Sequence, residues 1–196
     1  MTYLYYNLLQ VRHTKKSINK NQLVENLMEA NELLETNQYL AFKLEEEIFA
    51  FDISKVREVL EYTTMTKVPQ TPEMMKGVIN LRGSVVPVVD MRIKFGMGET
   101  EKTVNTVIII IEIDLDGESV MIGALVDSVQ EVMDLDSDHM EPPPSIGTQL
   151  NTDFIRGMGK LDGRFIIILD IENIFSSEEL DLVQDASQKK FSETAG

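Results

Sequence analysis

From Gln38 onward the apolar residues fall in short dense runs rather than helical stripes. "YLAFKL", "EIFAFDI", "TVIIIIEID", "SVMIGALVD" and "RFIIILDI" are rich in β-branched and aromatic residues, and Glu, Gly and Asp clusters separate them. Several of these runs are apolar at nearly every position, so the strands they predict are buried on both faces. "GVINLRGSVVPVVDMRIKFG", residues 77–96, reads as two such strands joined at Arg82-Gly83, with Pro87 interrupting the second. Short helical pieces are expected at "TPEMMK", "DMRIKF" and "DIENIF". A longer helix is expected to start at "SSEEL", where Ser176 and Glu179 have the capping-box spacing, and to run to about Gln188. Before residue 38 the pattern changes. In "NKNQLVENLMEANELLETN" Leu23, Leu27, Ala30 and Leu34 recur at helical spacing, which predicts one amphipathic helix over about 20–36 behind a patternless tail. The expected organisation is an extension over 1–37, a β-rich domain over 38–190 and a short tail over 191–196.

An internal repeat organises the β-rich part. "GVINLRGSVVPVVDMRIKF" (77–95) lies over "GMGKLDGRFIIILDIENIF" (157–175) without a gap, at an offset of 157 − 77 = 80. Gly77 meets Gly157, Leu81 meets Leu161, Gly83 meets Gly163, Asp90 meets Asp170 and Phe95 meets Phe175. Upstream, "VREV" (56–59) pairs with "VQEV" (129–132) at 129 − 56 = 73, which places seven extra residues in the "MEPPPSIGTQLNT" connection. Two copies of one all-β unit are expected, each about 70 residues long and closed as a barrel or curled sheet, because closure removes exposed edges. At the hairpin corner the second copy has Asp162-Gly163, a strong turn signal, where the first has Arg82-Gly83. Turn formation does not demand an arginine. Arg82 is either a solvated turn residue or a fork that holds a carboxylate or backbone carbonyls.

Charge and composition narrow the function. Against 18 Lys and Arg stand 33 Asp and Glu, a net charge of −15, so nucleic acid and anionic membrane surfaces are poor partners. No apolar run reaches the roughly 18 residues of a membrane helix, and the N-terminal charges follow the apolar stretch, the reverse of a secretory signal. A cytosolic protein is expected. The chain has no cysteine, so disulfides, thiolate catalysis and cysteine zinc sites are excluded. His13 and His139 have no G-x-S-x-G serine to serve, and "GMGKLDG" lacks the phosphate-loop spacing and leads into a strand. In "DLDSDHMEPP", Asp134, Asp136 and Asp138 copy the start of a calcium loop, but His139 stands where glycine is needed and Ser145 where the bidentate glutamate belongs. No catalytic residue, metal site or cofactor is expected, and an enzyme is disfavoured.

"NQYLAFKLEEEIFAFDISKVREVLEY", "TPEMMKGVINLRGSVVPVVDMRIKFG" and "IENIFSSEELDLVQDA" resemble the CheW family of bacterial chemotaxis coupling proteins, over about residues 38–190. The resemblance implies a mainly β fold of two similar five-stranded SH3-like barrels packed side by side, with short helices and a C-terminal helix. It implies a non-enzymatic adaptor that binds the cytoplasmic tip of chemoreceptors and the regulatory domain of the histidine kinase CheA, at receptor arrays on the inner face of the membrane. Carried over residue by residue, the receptor-facing groove would be lined by Ile53, Val56 and Glu58, with Val107 from the following barrel. Arg82 matches the family's hallmark arginine and is expected beside Glu58, ordering it and the turn. The extension before residue 38 is longer than the family pattern. An attached receiver domain is not expected. The alternatives are the equivalent adaptor of a non-flagellar chemosensory pathway and, from another class, a small-molecule-binding barrel.

Overall fold

The computed structural model describes residues 37–115, 117–135, 140–142, 153–161, 163–176, 178–180 and 182. All belong to one compact unit, Asn37–Gly196. The expected helix over 20–36, the extension, the tail after 190 and the run of the last helix to Gln188 lie outside the described residues.

Among the described residues ten strands follow in order: β1 (Asn37–Leu44), β2 (Glu47–Asp52), β3 (Val56–Glu61), β4 (Met75–Leu81), β5 (Ser84–Asp90), β6 (Val107–Leu115), β7 (Glu118–Val126), β8 (Ser128–Leu135), β9 (Ile155–Leu161) and β10 (Arg164–Leu169). A 3-10 turn, Ile53–Lys55, precedes β3, and two one-turn helices follow β5 and β10: α1 (Met91–Lys94) and α2 (Ile171–Ile174). "TPEMMK" is not a helix. The amide of Met75 bonds the carbonyl of Pro72 in a turn, and the buried Met74 and Met75 draw the chain directly into β4.

The strands form two five-stranded sheets, β8-β1-β2-β10-β9 and β3-β6-β7-β5-β4, the two SH3-like barrels of the fold. The aligned segments 77–95 and 157–175 are the same hairpin followed by the same helical turn. β4, the start of β5 and α1 map onto β9, the start of β10 and α2 at the offset of 80. In each copy an aspartate caps the helical turn: Asp90 accepts from the amides of Arg92 and Ile93, and Asp170 from that of Glu172. One expectation is corrected here. The barrels are not the two sequence copies. β3 to β7 make one barrel from contiguous chain, whereas the other takes β1 and β2 from the first copy and β8, β9 and β10 from the second.

Strand periodicity explains why the runs are apolar throughout. On β1, Tyr39 and Ala41 fill one barrel with Ala50, Met133, Leu135, Ile166 and Ile168. The alternate residues Leu40, Phe42 and Leu44 join a cluster drawn from both barrels. On β6, Ile108 and Ile110 fill the other barrel with Ile79, Val86, Val88 and Leu125. Ile109, Ile111 and Ile113 join the same shared cluster, the seam between the barrels. Aromatic rings stack through this seam from Phe51 and Phe42 to Phe49, Phe95 and Phe154. Pro87 sits in β5 without harm, because parallel pairing with β7 begins only at Val88.

Candidate interaction surface

The chain crosses from one barrel to the other at the 3-10 turn, and four polar contacts fix that crossing. Asp52 Oδ1 accepts from the amide and hydroxyl of Ser54, Lys55 Nζ lies 2.6 Å from Glu172 Oε1, and Arg156 Nη1 lies 3.5 Å from Asp52 Oδ2. The hydrogen bond to Glu172 raises the Lys55 pKa despite the opposing cost of desolvation. Ile53 in this turn, Val56 at the start of β3 and Val107 at the start of β6 are each half-buried against the seam. Val107 does not come from the other barrel: β6 pairs with β3 in the same sheet, placing Val107 opposite Glu61.

A β-bulge divides the surface. Val56 pairs with Ile111, a seam residue, whereas Glu58 pairs with Ile110, a residue of the barrel interior. Arg57 is the extra residue between them, so Val56 and Glu58 take opposite faces of β3. Glu58 meets the hairpin corner instead: Arg82 Nη2 donates to Glu58 Oε2 at 2.9 Å. Arg82 has φ +53° and Gly83 φ +94°, with Leu81 paired to Ser84, a two-residue turn with both central residues left-handed. Asn80 Oδ1 accepts from the Gly83 amide and steadies the corner. A non-glycine residue with this φ is disfavoured, and asparagine or aspartate would tolerate it better. The arginine is therefore not there for the turn. Its side chain is 80% exposed and that of Glu58 24%, so most of the guanidinium's donors face solvent.

Beside the 3-10 turn lies a cleft of about 350 Å³, lined by Ser54, Lys55 and Arg57 together with Glu112, Ile113, Asp114 and Ser119. Neither Arg57 nor Glu112 belongs to a motif that the sequence marks as functional. Their one signal was the repeat itself, in which Arg57 lies over Gln130. Among the remaining candidates, Asp134 lies in β8 and accepts from Gln38 Nε2, while Asp136, Asp138, His139 and Ser145 lie outside the described residues.

The family model of the CheW-like domain matches residues 38–179. The chain belongs to the CheW-like domain family. It is 37% identical over 151 residues to the chemotaxis protein CheW of Klebsiella aerogenes, covering 77% of this chain and 89% of that protein. It is 31% identical over 140 residues to CheW of Thermotoga maritima, covering 70% and 86%. The crystal structure of the scaffolding protein TtCheW from Thermoanaerobacter tengcongensis superposes with a TM-score of 0.65 at 38% identity, over 74% of this chain and 90% of that one. These CheW-like relatives cover the described unit, and the two-barrel fold is theirs.

Proposed function

We propose that this CheW-like chain is a non-enzymatic adaptor that couples chemoreceptors to the histidine kinase CheA at the cytoplasmic face of the membrane. Ile53, Val56 and Val107 offer the half-buried apolar strip on which a receptor-tip helix lies, and Glu58 with Arg82 forms its charged border. The observation that carries this reading is the arginine in a left-handed turn, bonded to Glu58, at a corner where the duplicated copy has Asp-Gly. A residue disfavoured by its own backbone is retained for what its side chain does. The other barrel supports the same reading. Gln38, bonded to Asp134, is paired on β1 as Val107 is paired with Glu61 on β6, and Glu131 lies over Glu58 without an arginine in the sequence at 162. The core is alike in both barrels and Val129 matches Val56, while Val107 and Arg82 stand where the other barrel has Gln38 and Asp162.

Co-sedimentation with receptor-tip fragments and the kinase regulatory domain tests this. The adaptor is expected to bind both and to raise kinase autophosphorylation in reconstituted arrays. Failure to bind either partner would sink the proposal.

A further inference from the structure

The bulge at Arg57 decides which way Val56 and Glu58 point. In a regular strand two residues at this spacing would share one face. Both copies carry the bulge, since β8 steps from Val129 to Val132 while β1 steps only from Phe42 to Leu40. What differs is how its extra residue is held. Gln130 bonds within its own strand, to Ser128 Oγ at 3.0 Å and to the Val129 carbonyl at 3.3 Å. Arg57 instead reaches across the sheet. Its guanidinium pairs with Glu112 on β6, and the other carboxylate oxygen of Glu112 accepts from the Ser119 hydroxyl on β7. The corresponding position on β1 is Lys43, which cannot make this pair.

β3 is an edge strand whose ladder neighbour is β6. A bulge on such an edge removes a ladder contact where the strand is least supported. We propose that Arg57, Glu112 and Ser119 form a positioning tether that fixes this bulge, so that Val56 and Glu58 meet the receptor helix in one register. This rests on the receptor-binding reading above. The tether spans three strands of the barrel that carries Val107 and Arg82, and has no counterpart in the other barrel, where Gln130 bonds within its own strand. Glu112 is 24% exposed and Arg57 55%, so the pair adds little to global stability. Its role is local.

The test compares Arg57→Ala, Arg57→Lys, Glu112→Gln and the swap Arg57→Glu with Glu112→Arg, all in the full chain. Each is titrated with a receptor-tip fragment, melted, and followed by amide hydrogen exchange at residues 56–58. Arg57→Ala and Glu112→Gln are expected to weaken binding roughly fivefold, as coupled neighbours do, with melting within about 2 °C of the parent. Exchange at 56–58 should speed up. Arg57→Lys and the swap should recover most of the binding. Parent-level affinity in Arg57→Ala would overturn the tether. A loss that the swap fails to recover would mean that Arg57 touches the receptor directly, which also overturns it. Val56→Asp is titrated alongside. If that variant binds normally, the receptor surface itself has been misplaced, and unchanged exchange at 56–58 in Arg57→Ala then removes the tether on its own account.

Discussion

The two hairpins at 75–90 and 155–169 share one ancestry of pattern and differ in what they must do. Each runs strand, two-residue turn, strand, aspartate cap and one helical turn, at a constant offset. What both keep is what closes a barrel: the turn glycine, the capping aspartate and the interior pair Val86 and Val88 over Ile166 and Ile168. What differs lies at the corner and on the neighbouring edge strand. Arg82 over Asp162, Arg57 over Gln130 and Glu112 over Lys43 are changes that barrel closure does not require. A duplicated fold thus contains its own control. Shared positions report folding, and divergent exposed positions are where partners should be sought.

The largest expected contrast is between Gly77 and Gly157. Gly77 has φ +141°, and a Cβ there would lie 2.4 Å from the Thr66 carbonyl oxygen, a fixed backbone atom of the bridge between Thr66 and Val78. At Gly157 the nearest obstacle is the flexible side chain of Met140, at 2.7 Å. Gly77→Ala should cost about 3 kcal/mol or more and Gly157→Ala about 1 kcal/mol, measured by denaturant unfolding. Equal losses would show that the two closures are alike.

Next comes the pair Val56 and Val129, each half-buried against the seam and each opposite a buried seam residue, Ile111 or Phe42. Aspartate at either position should cost about 1–3 kcal/mol, since the carboxylate is only partly desolvated. Only Val56→Asp should also weaken receptor binding. Equal binding losses would place the receptor across both barrels.

A smaller effect separates the helical turns. Lys94 on α1 donates to both carboxylate oxygens of Glu179, at 2.7 and 2.6 Å, whereas α2 has Ile174 at the matching position. Glu179 also accepts from the Ser176 amide at 2.7 Å and donates its own amide to Ser176 Oγ, completing the expected capping box. Burial raises the Glu179 pKa, but the bonds from Lys94 and Ser176 outweigh it and hold the carboxyl below its ordinary value of 4.5. A depressed folded-state pKa gives stability that is complete above about pH 4.5 and is lost as the pH falls through the folded value. Glu179→Gln should therefore melt a few degrees lower at pH 7, with the gap closing as the pH falls below about 4.5. A gap unchanged with pH would show that the ion pair contributes nothing.

The smallest stability change is expected at Arg82. Asparagine relieves the left-handed strain while removing an exposed pair of about 0–1 kcal/mol, so Arg82→Asn should melt within about 2 °C of the parent. Receptor-dependent kinase activation should nonetheless fall. Normal activation would reduce the corner to an ordinary turn.

Local chemistry made much of this legible from the sequence. The all-apolar runs announced strands buried on both faces, because a period of two leaves no other use for apolar residues on alternate sides. The offset alignment located both hairpins and both caps, and Arg82 stood out because its neighbour copy kept a better turn residue. What the tertiary structure alone decided was partnership. Which copy supplies β1 and β2 to which barrel depends on the crossing at Ile53–Lys55 and on the shared seam, and both copies carry the same pattern, so periodicity cannot distinguish self-closure from exchange. The helix expected at "TPEMMK" yielded to the burial of two methionines, a long-range term that local propensity does not contain. The opposite facing of Val56 and Glu58 arose from one extra residue in a ladder. A bulge is a relation between two strands, and no single strand's sequence records it.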